Sequence, residues 1–252
     1  MKKSSVLLFI ALIILALSLG ACARGESTQP AAEVEEEAPA PEEEIAVAEE
    51  NDDAALYSED FEDGSSCFEE AQLQNASLAL ENGELIVEIS NSGELLWSTC
   101  EELELSNFTI ELDIFDDSSA PGFHYFGLQL RSEASADGTL NWYEVHFGLG
   151  EGFVPAFCSG LATESTFESF TESLYDDSCW VDLPVRIEAG QWNHFEISAN
   201  GPVLTYSVNG TFIASLNDAR IEQGNFGLLA GTFDSESSRI KFDNIRITTL
   251  TD

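Results

Sequence analysis

The sequence predicts an all-β fold, a two-sheet antiparallel jelly-roll sandwich, preceded by a signal peptide and a disordered acidic linker. Beyond residue 56, apolar and polar residues alternate over short stretches, and the periodicity of a long helix is missing. About ten such runs are bounded by Gly, Asn, Asp and Ser, which favour turns. Val208-Asn209-Gly210-Thr211 joins two runs and carries the Asn-Gly pair typical of a type I′ hairpin. Many short strands at this spacing favour a sandwich or jelly roll.

Residues 1–21 have the features of a lipoprotein signal peptide. Two lysines precede an apolar stretch of about 14 residues, shorter than the roughly 20 that a membrane-spanning helix needs. The stretch ends in Leu19-Gly20-Ala21-Cys22, which resembles the bacterial lipobox. The resemblance implies cleavage before Cys22 and acylation of that cysteine, including by palmitate, so we expect a lipid anchor in the cell membrane or the outer membrane. An ordinary signal peptide followed by an unrelated cysteine is the alternative.

Residues 22–55 are rich in Glu, Ala and Pro and poor in apolar side chains. Like charges at this density repel one another and cannot offset the entropy lost on folding, which predicts a disordered tether. Residues 56–252 are numerous enough for one domain with a full hydrophobic core. The whole chain carries a formal charge of −38, which repels phosphate backbones and argues against nucleic acid as a partner.

Four cysteines remain after Cys22, an even number in an oxidising compartment. Of the three possible connectivities we favour Cys67–Cys100 together with Cys158–Cys179, because these pairs close the shortest loops that do not cross. Metal ligation is the alternative, but the cysteines lack the Cys-x-x-Cys spacing of zinc sites.

Each alternating run places its apolar side chains on one face of a predicted strand. In chain order the predicted strands are Leu85–Ile89, Phe108–Phe115, Phe126–Arg131, Trp142–Phe147, His194–Ala199, Val203–Val208, Thr211–Leu216, Phe226–Ala230 and Arg239–Thr248. The apolar faces of these strands should form the core, and the polar faces should lie outside.

Short segments along the domain carry a resemblance to a known superfamily. They are Leu56–Phe61, Phe108–Glu111, Phe126–Arg131, Trp142–Val145, Trp192–Phe195, Leu204–Gly210, Gly224–Leu228 and Ile240–Ile245. In this order they resemble the concanavalin A-like lectin/glucanase superfamily, above all its laminin-G-like branch, which includes the 3-keto-disaccharide hydrolase-type domains. The resemblance implies two antiparallel sheets with a concave face that often carries the ligand site. It implies no particular reaction, because the fold hosts lectins, hydrolases and adhesion modules.

Glu111-Leu112-Asp113-Ile114-Phe115-Asp116 resembles the catalytic strand of family-16 glycoside hydrolases, Glu-x-Asp-x-x-Glu. The resemblance implies that Glu111 is the nucleophile and Asp116 the acid/base, with Asp113 between them. Such a pair of carboxyls has to lie about 5 Å apart across the scissile bond. Asp116 is one methylene shorter than the expected Glu, and a solvated strand face is the alternative interpretation.

Five further residues could form a sugar-binding surface if two predicted strands are neighbours. Strand alternation points Gln129 and Arg131 outward from one strand, and Trp142, Glu144 and His146 outward from the next. A flat aromatic ring with planar polar groups is the combination that binds sugars. The alternative is a cross-strand pair between Arg131 and Glu144, with Trp142 covering a loop.

Asp60 and Asp243 are candidate calcium ligands, because the first and last strands of such jelly rolls usually pair. Calcium requires six to eight oxygen ligands from carboxylates and carbonyls, and surface acids or turn caps are the alternative. Otherwise we expect no cofactor.

These observations rank three functions for the domain. The first is a non-catalytic module on a cell-surface lipoprotein that binds carbohydrate or a surface protein. The second is a glycoside hydrolase-like enzyme that acts on extracellular glycans, and the third is a structural envelope protein without a specific ligand.

Overall fold

The computed structural model describes residues 55–148, 152–162, 167–174 and 183–250. The predicted signal peptide, the lipidation site at Cys22 and nearly all of the predicted tether lie outside these ranges, as does Cys179. In the described ranges no helix is long and apolar enough to cross a membrane.

The described chain is all β, as the sequence predicts. Its strands are β1 (Tyr57–Glu59), β2 (Ala71–Gln72), β3 (Ala76–Glu81), β4 (Glu84–Ile89), β5 (Leu95–Leu105), β6 (Phe108–Asp116), β7 (His124–Ala134), β8 (Thr139–Gly148), β9 (Gly152–Ala162), β10 (Phe167–Ser173), β11 (Trp192–Asn200), β12 (Val203–Val208), β13 (Thr211–Asn217), β14 (Gly224–Thr232) and β15 (Ser238–Thr249). Every predicted strand corresponds to one of these.

The strands form two antiparallel sheets, which confirms the predicted sandwich. The larger sheet has the order β13-β12-β11-β6-β15-β4-β3-β2, with β1 paired to β15, and the smaller sheet has the order β10-β9-β8-β7-β14-β5. The first strand pairs with the last as expected, with Tyr57 opposite Ile247. Neighbours distant in sequence, such as β6 beside β15 and β14 beside β5, give the sheets their jelly-roll character.

The core lies between the sheets and consists of the inward face of each strand. Along β6, Phe108, Ile110, Leu112 and Ile114 are buried while the residues between them are partly exposed. Three rings meet at the centre: Phe195 lies 5.7 Å from Phe126 and 4.8 Å from Phe147, measured between centroids. Aromatic pairs at such distances add to the hydrophobic stabilisation that comes from burial.

The β12–β13 hairpin has the predicted turn. Asn209 and Gly210 both have positive φ angles, 50° and 72°, between the paired residues Val208 and Thr211. These angles define the type I′ geometry that Asn-Gly favours, because both residues tolerate the left-handed region better than most.

Several strands are missing from the sequence prediction because their composition is unusual for a strand. β5 carries Glu101, Glu102 and Glu104 among its apolar residues, and β9 contains Pro155 and Gly160. Glu, Pro and Gly are depleted in strands, so tertiary pairing and not local propensity determines these two elements.

The disulfide Cys67–Cys100 is present and connects the segment after β1 to β5. This confirms half of the predicted connectivity. Cys158 is buried in β9, and its pairing with Cys179 stays a prediction because Cys179 lies outside the described residues.

Replacing Cys67 and Cys100 together by alanine should lower the free energy of unfolding by about 2–4 kcal/mol, because the bond closes a loop with a sequence separation of 33. Urea unfolding of the parent and the double variant, followed by tryptophan fluorescence, measures the difference. An unchanged midpoint would show that the bond does not stabilise the fold.

Candidate functional site

The outer face of the smaller sheet carries a polar and aromatic cluster centred on Glu144 in β8. Oε2 of Glu144 accepts a hydrogen bond of 2.6 Å from Nε1 of Trp142, and Oε1 is in short contact with Nε2 of His146. Sγ of Cys158 lies 3.7 Å from Oε2. One carboxylate therefore fixes two ring side chains on its own strand.

Strand alternation and register position this cluster. Tyr143, Val145 and Phe147 point into the core, which leaves Trp142, Glu144 and His146 on the outer face, as the sequence predicts. β7 is the neighbour of β8, and Gln129 lies directly opposite Glu144. Gln129 accepts a hydrogen bond of 3.0 Å from the Thr99 hydroxyl on β5.

Tyr125 on β7 completes the cluster, and the sequence prediction omitted it. Its ring stacks on His146 with centroids 4.7 Å apart and planes inclined by 22°. A Cβ at Gly231 would lie 2.4 Å from Cζ of Tyr125, so only glycine leaves room for the ring to lie across β14. The shared alternation of Tyr125, Gly127 and Gln129 is the signal that could have identified it.

Burial and charge set the protonation of the cluster. Burial is the largest influence on Glu144 and raises the pKa of its carboxyl, but the His146 charge and the hydrogen bonds from His146 and Trp142 outweigh it, and the net pKa lies below the ordinary value. Burial, and after it the Glu144 charge, raises the pKa of Tyr125 to about 12. At neutral pH the site thus holds a carboxylate beside a neutral phenol.

Trp142 is not the open aromatic platform that the sequence prediction expected. It is only 8% exposed and packs with Leu140, Ala156 and Cys158 in a small apolar cluster of its own. Its role in this structure is to donate to Glu144, and the more accessible rings are Tyr125 and His146.

The expected outward orientation of Arg131 is wrong. Arg131 is 1% exposed, and it donates to the carbonyl oxygens of Ile221 (3.0 Å) and Ser106 (2.5 Å). It lies in a β-bulge between Leu130 and Glu133, with a φ of 51°. Because a bulge inserts one extra residue, it reverses the alternation and turns the side chain to the core side. The alternative pairing of Arg131 with Glu144 is therefore also wrong.

The acidic motif on β6 does not form the catalytic pair of a glycoside hydrolase. Glu111 and Asp113 lie on the outer face of the larger sheet, on the opposite side of the sandwich from Glu144. Glu111 contacts Nη1 of Arg246 at 3.3 Å, and Asp113 contacts Nδ1 of His194 at 2.9 Å. This motif therefore does not share a surface with Trp142 and His146.

Asp116 points the other way, into the sandwich. It is 2% exposed, and its Oδ2 lies 2.6 Å from Nε2 of the buried His124. β6 has no bulge between Glu111 and Asp116, so residues five apart point to opposite faces. Asp116 and Glu111 cannot flank one scissile bond.

Asp60 and Asp243 are neighbours, as the pairing of β1 with β15 predicts. Burial raises the pKa of Asp243, and the charges of Asp113, Glu84 and Asp60 raise it further. Among the described residues no group of three or more His, Cys, Asp or Glu side chains is arranged to hold a metal ion. Calcium binding stays a prediction.

Comparisons with known proteins identify the fold and the family. The Crh5 transglycosylase in complex with NAG is similar with a TM-score of 0.52 and 13% identity, over 79% of this chain and 86% of that chain. The CBM66 carbohydrate-binding module from Bacillus subtilis matches with a TM-score of 0.43 and 15% identity, over 72% of this chain and 92% of that one. A protein of unknown function with a galectin-like fold from Bacillus subtilis matches with a TM-score of 0.49 and 9% identity, over 78% of this chain and 96% of that one.

At these identities the solved structures bear on the fold alone, and no curated protein matches the sequence. The model of one family, described as the 3-keto-alpha-glucoside-1,2-lyase-like domain, matches residues 49–248, which is most of the chain. This match agrees with the superfamily that the sequence segments resemble. The chain belongs to the 3-keto-alpha-glucoside-1,2-lyase-like domain family.

Proposed function

We propose that this protein is an exported lipoprotein whose β-sandwich binds carbohydrate on the outer face of the smaller sheet. The cluster of Glu144, His146 and Tyr125 carries the proposal. A carboxylate held by two ring side chains offers fixed hydrogen-bond acceptors for sugar hydroxyls. The neighbouring Tyr125 and His146 rings offer a flat apolar surface for the CH face of a sugar.

The charge of the site selects neutral sugars over acidic ones. Glu144 is ionised at neutral pH because its pKa is lowered, and the formal charge of the chain is −38. Uronic acids and sulfated sugars would be repelled both on approach and at the site.

Tyr125→Ala should weaken sugar binding about tenfold, because the variant loses the ring that would cover the apolar face of the sugar. A glycan array probed with residues 55–252 selects the sugar, and calorimetric titration compares the variant with the parent. Trp192→Ala is the matched control, since Trp192 is an exposed ring on the larger sheet. If Tyr125→Ala binds the sugar as tightly as the parent does, the outer face of the smaller sheet is not the binding site. An array without any hit would favour a structural envelope protein.

A second candidate function is the elimination that the family description names. In a 3-keto-α-glucoside the carbonyl at C3 acidifies the proton on C2. His146 faces Glu144 through Nε2, and in its neutral form with the proton on Nε2 the Nδ1 atom has a lone pair that can accept the C2 proton. The electron pair of the C2–H bond then forms the C1–C2 double bond, the C1–O bond breaks, and the departing oxygen takes a proton from water.

Incubation with a 3-keto-α-glucoside separates this candidate from binding alone. Release of the aglycone by the parent, and its loss in His146→Ala, would support the lyase. Binding of the glycoside without release would leave the domain a binding module.

Cys22→Ser should abolish lipid attachment, because the thiol is the acyl acceptor in a lipobox. Metabolic labelling of the full chain with radioactive palmitate and separation of membrane from supernatant measure the effect. Acyl labelling that persists in this variant would show that the anchor is elsewhere or that the resemblance to a lipobox is fortuitous.

A further inference from the structure

The aromatic side chains of the proposed binding face continue beyond Tyr125 towards one end of the smaller sheet. Phe123 lies 6.4 Å from Tyr125, and Phe233 lies 6.4 Å from Phe123, between ring centroids. Together with the His146–Tyr125 stack at 4.7 Å, these contacts form a series of four rings: His146, Tyr125, Phe123 and Phe233.

All four rings lie on the same outer face. Phe123 directly precedes β7 and Tyr125 is its second residue; the buried His124 and Phe126 alternate with them and point to the core side. Phe233 follows β14, and its backbone N–H donates to the Phe123 carbonyl at 2.9 Å, which fixes the two rings side by side. The series is held by backbone pairing and needs no rearrangement to form.

This end of the face is unusually apolar for a protein of such high charge. Phe233 at this end is 58% exposed, and further along the same face Trp97 on β5, which is level with Gly127 through Leu229, is 48% exposed. With Leu95 they are three of the eight large apolar side chains that are exposed among the described residues. Exposed aromatic residues gathered in this way indicate a contact surface.

We infer that this aromatic series is an extended subsite, so that the domain binds a neutral glycan chain of several sugar units and not a single terminal sugar. The inference rests on the proposed function and specifies its ligand. One sugar ring cannot contact both His146 and Phe233, because two further rings lie between them.

The shape of the surface favours a glycan over a protein partner. Glycine at position 127 keeps the sheet surface low beside Tyr125, whose ring lies over Gly231, and the planes of Phe123 and Tyr125 are inclined by only 32°. The His146, Tyr125 and Phe123 rings are thus similarly oriented and suit the CH faces of successive pyranose units, while the Phe233 ring, inclined by 71° to Phe123, bounds the end of the series. The series adjoins the Glu144 carboxylate, which provides hydrogen-bond acceptors at the His146 end of the same surface.

The test uses neutral gluco-oligosaccharides of one to six units, α-linked and β-linked, titrated against residues 55–252. The affinity of the parent should rise with chain length up to several units. Phe233→Ala should weaken binding of the longest oligomers about tenfold, which corresponds to ~1.4 kcal/mol, and should leave the shortest ones that bind unchanged. Tyr125→Ala should weaken binding at every length.

Phe212→Ala is the matched control, because Phe212 is also a 58% exposed phenylalanine but lies on β13 at the far edge of the larger sheet. It should not change binding at any length. Sugar binding that is independent of chain length, or equal in Phe233→Ala and the parent, would overturn the extended subsite while leaving the proposed function standing. If no neutral sugar of any length binds, the proposed function itself fails. Specific capture of a protein by the parent and not by Phe233→Ala would also overturn the inference.

Discussion

Arg131→Ala is expected to lower the free energy of unfolding by about 3–5 kcal/mol, one of the largest effects of any single change in this domain. The truncation leaves the buried carbonyl oxygen of Ile221 without its donor, at a cost of about 1–3 kcal/mol, and also removes the bond to the carbonyl of Ser106, an exposed residue. It also opens a cavity beside Phe108, whose ring lies 5.9 Å from the guanidinium carbon.

Arg131→Met separates these two contributions. Methionine fills much of the volume but donates no hydrogen bond, so it should recover the packing part of the loss and leave the unpaired carbonyls. Arg186→Ala is the control, because Arg186 is well exposed and its ion pair with Glu188 lies at the surface, where such pairs contribute little. Urea unfolding at neutral pH measures all three variants. A loss below about 1 kcal/mol for Arg131→Ala would show that the two carbonyls find other partners.

Arg131 also shows where prediction from the sequence fails. Alternation correctly places Gln129 outward and Leu130 inward. By the same rule the next residue, Arg131, should point outward. The bulge between Leu130 and Glu133 adds one residue, and a shift of one residue exchanges the two faces of a strand. No turn residue marks the bulge, so its position is a property of the sheet and not of the local sequence.

The catalytic prediction for the acidic motif on β6 is wrong for a different reason. Alternation correctly assigns Glu111 and Asp113 to the outer face of their strand. It does not state to which sheet the strand belongs, and β6 lies between β11 and β15, whereas the strand of Glu144 lies between β7 and β9. Glu111 and Asp113 point outward from the larger sheet, and the Glu144 cluster points outward from the smaller sheet, so they lie on opposite sides of the sandwich. Pairings between strands distant in the chain depend on the whole fold.

Predictions from the sequence are correct where a short stretch of the chain determines the structure. The Asn209-Gly210 hairpin and the pairing of β7 with β8 connect consecutive segments, and the Cys67–Cys100 bond, with a sequence separation of 33, follows from the preference for short loops that do not cross. The Glu144 cluster belongs to the same group, because Trp142, Glu144 and His146 are alternate residues of one strand. Its aromatic neighbour Tyr125 lies on β7, one residue before the segment Phe126–Arg131 that the alternation marked.

Glu144→Gln is expected to have the largest effect on function, because one carboxylate holds two side chains of the proposed site. Trp142 and His146 bond to different oxygens of the carboxylate, and the amide replaces one of these oxygens by an NH2 group, which donates and does not accept. The free energy of unfolding should fall by about 1.5–3 kcal/mol at neutral pH, the usual contribution of hydrogen bonds to a charged group. Sugar binding should weaken at least as much as in Tyr125→Ala.

The pH dependence identifies the carboxylate as the cause. The pKa of Glu144 is lower in the folded protein than its ordinary value, so the ionised group stabilises the fold above its unfolded pKa, and this contribution disappears as the pH falls through the folded pKa. The parent and Glu144→Gln should therefore differ most at neutral pH and converge in acid. Glu196→Gln, at an exposed position on β11, should match the parent throughout. A difference between Glu144→Gln and the parent that stays constant down to acid pH would assign the effect to the shape of the side chain and not to its charge.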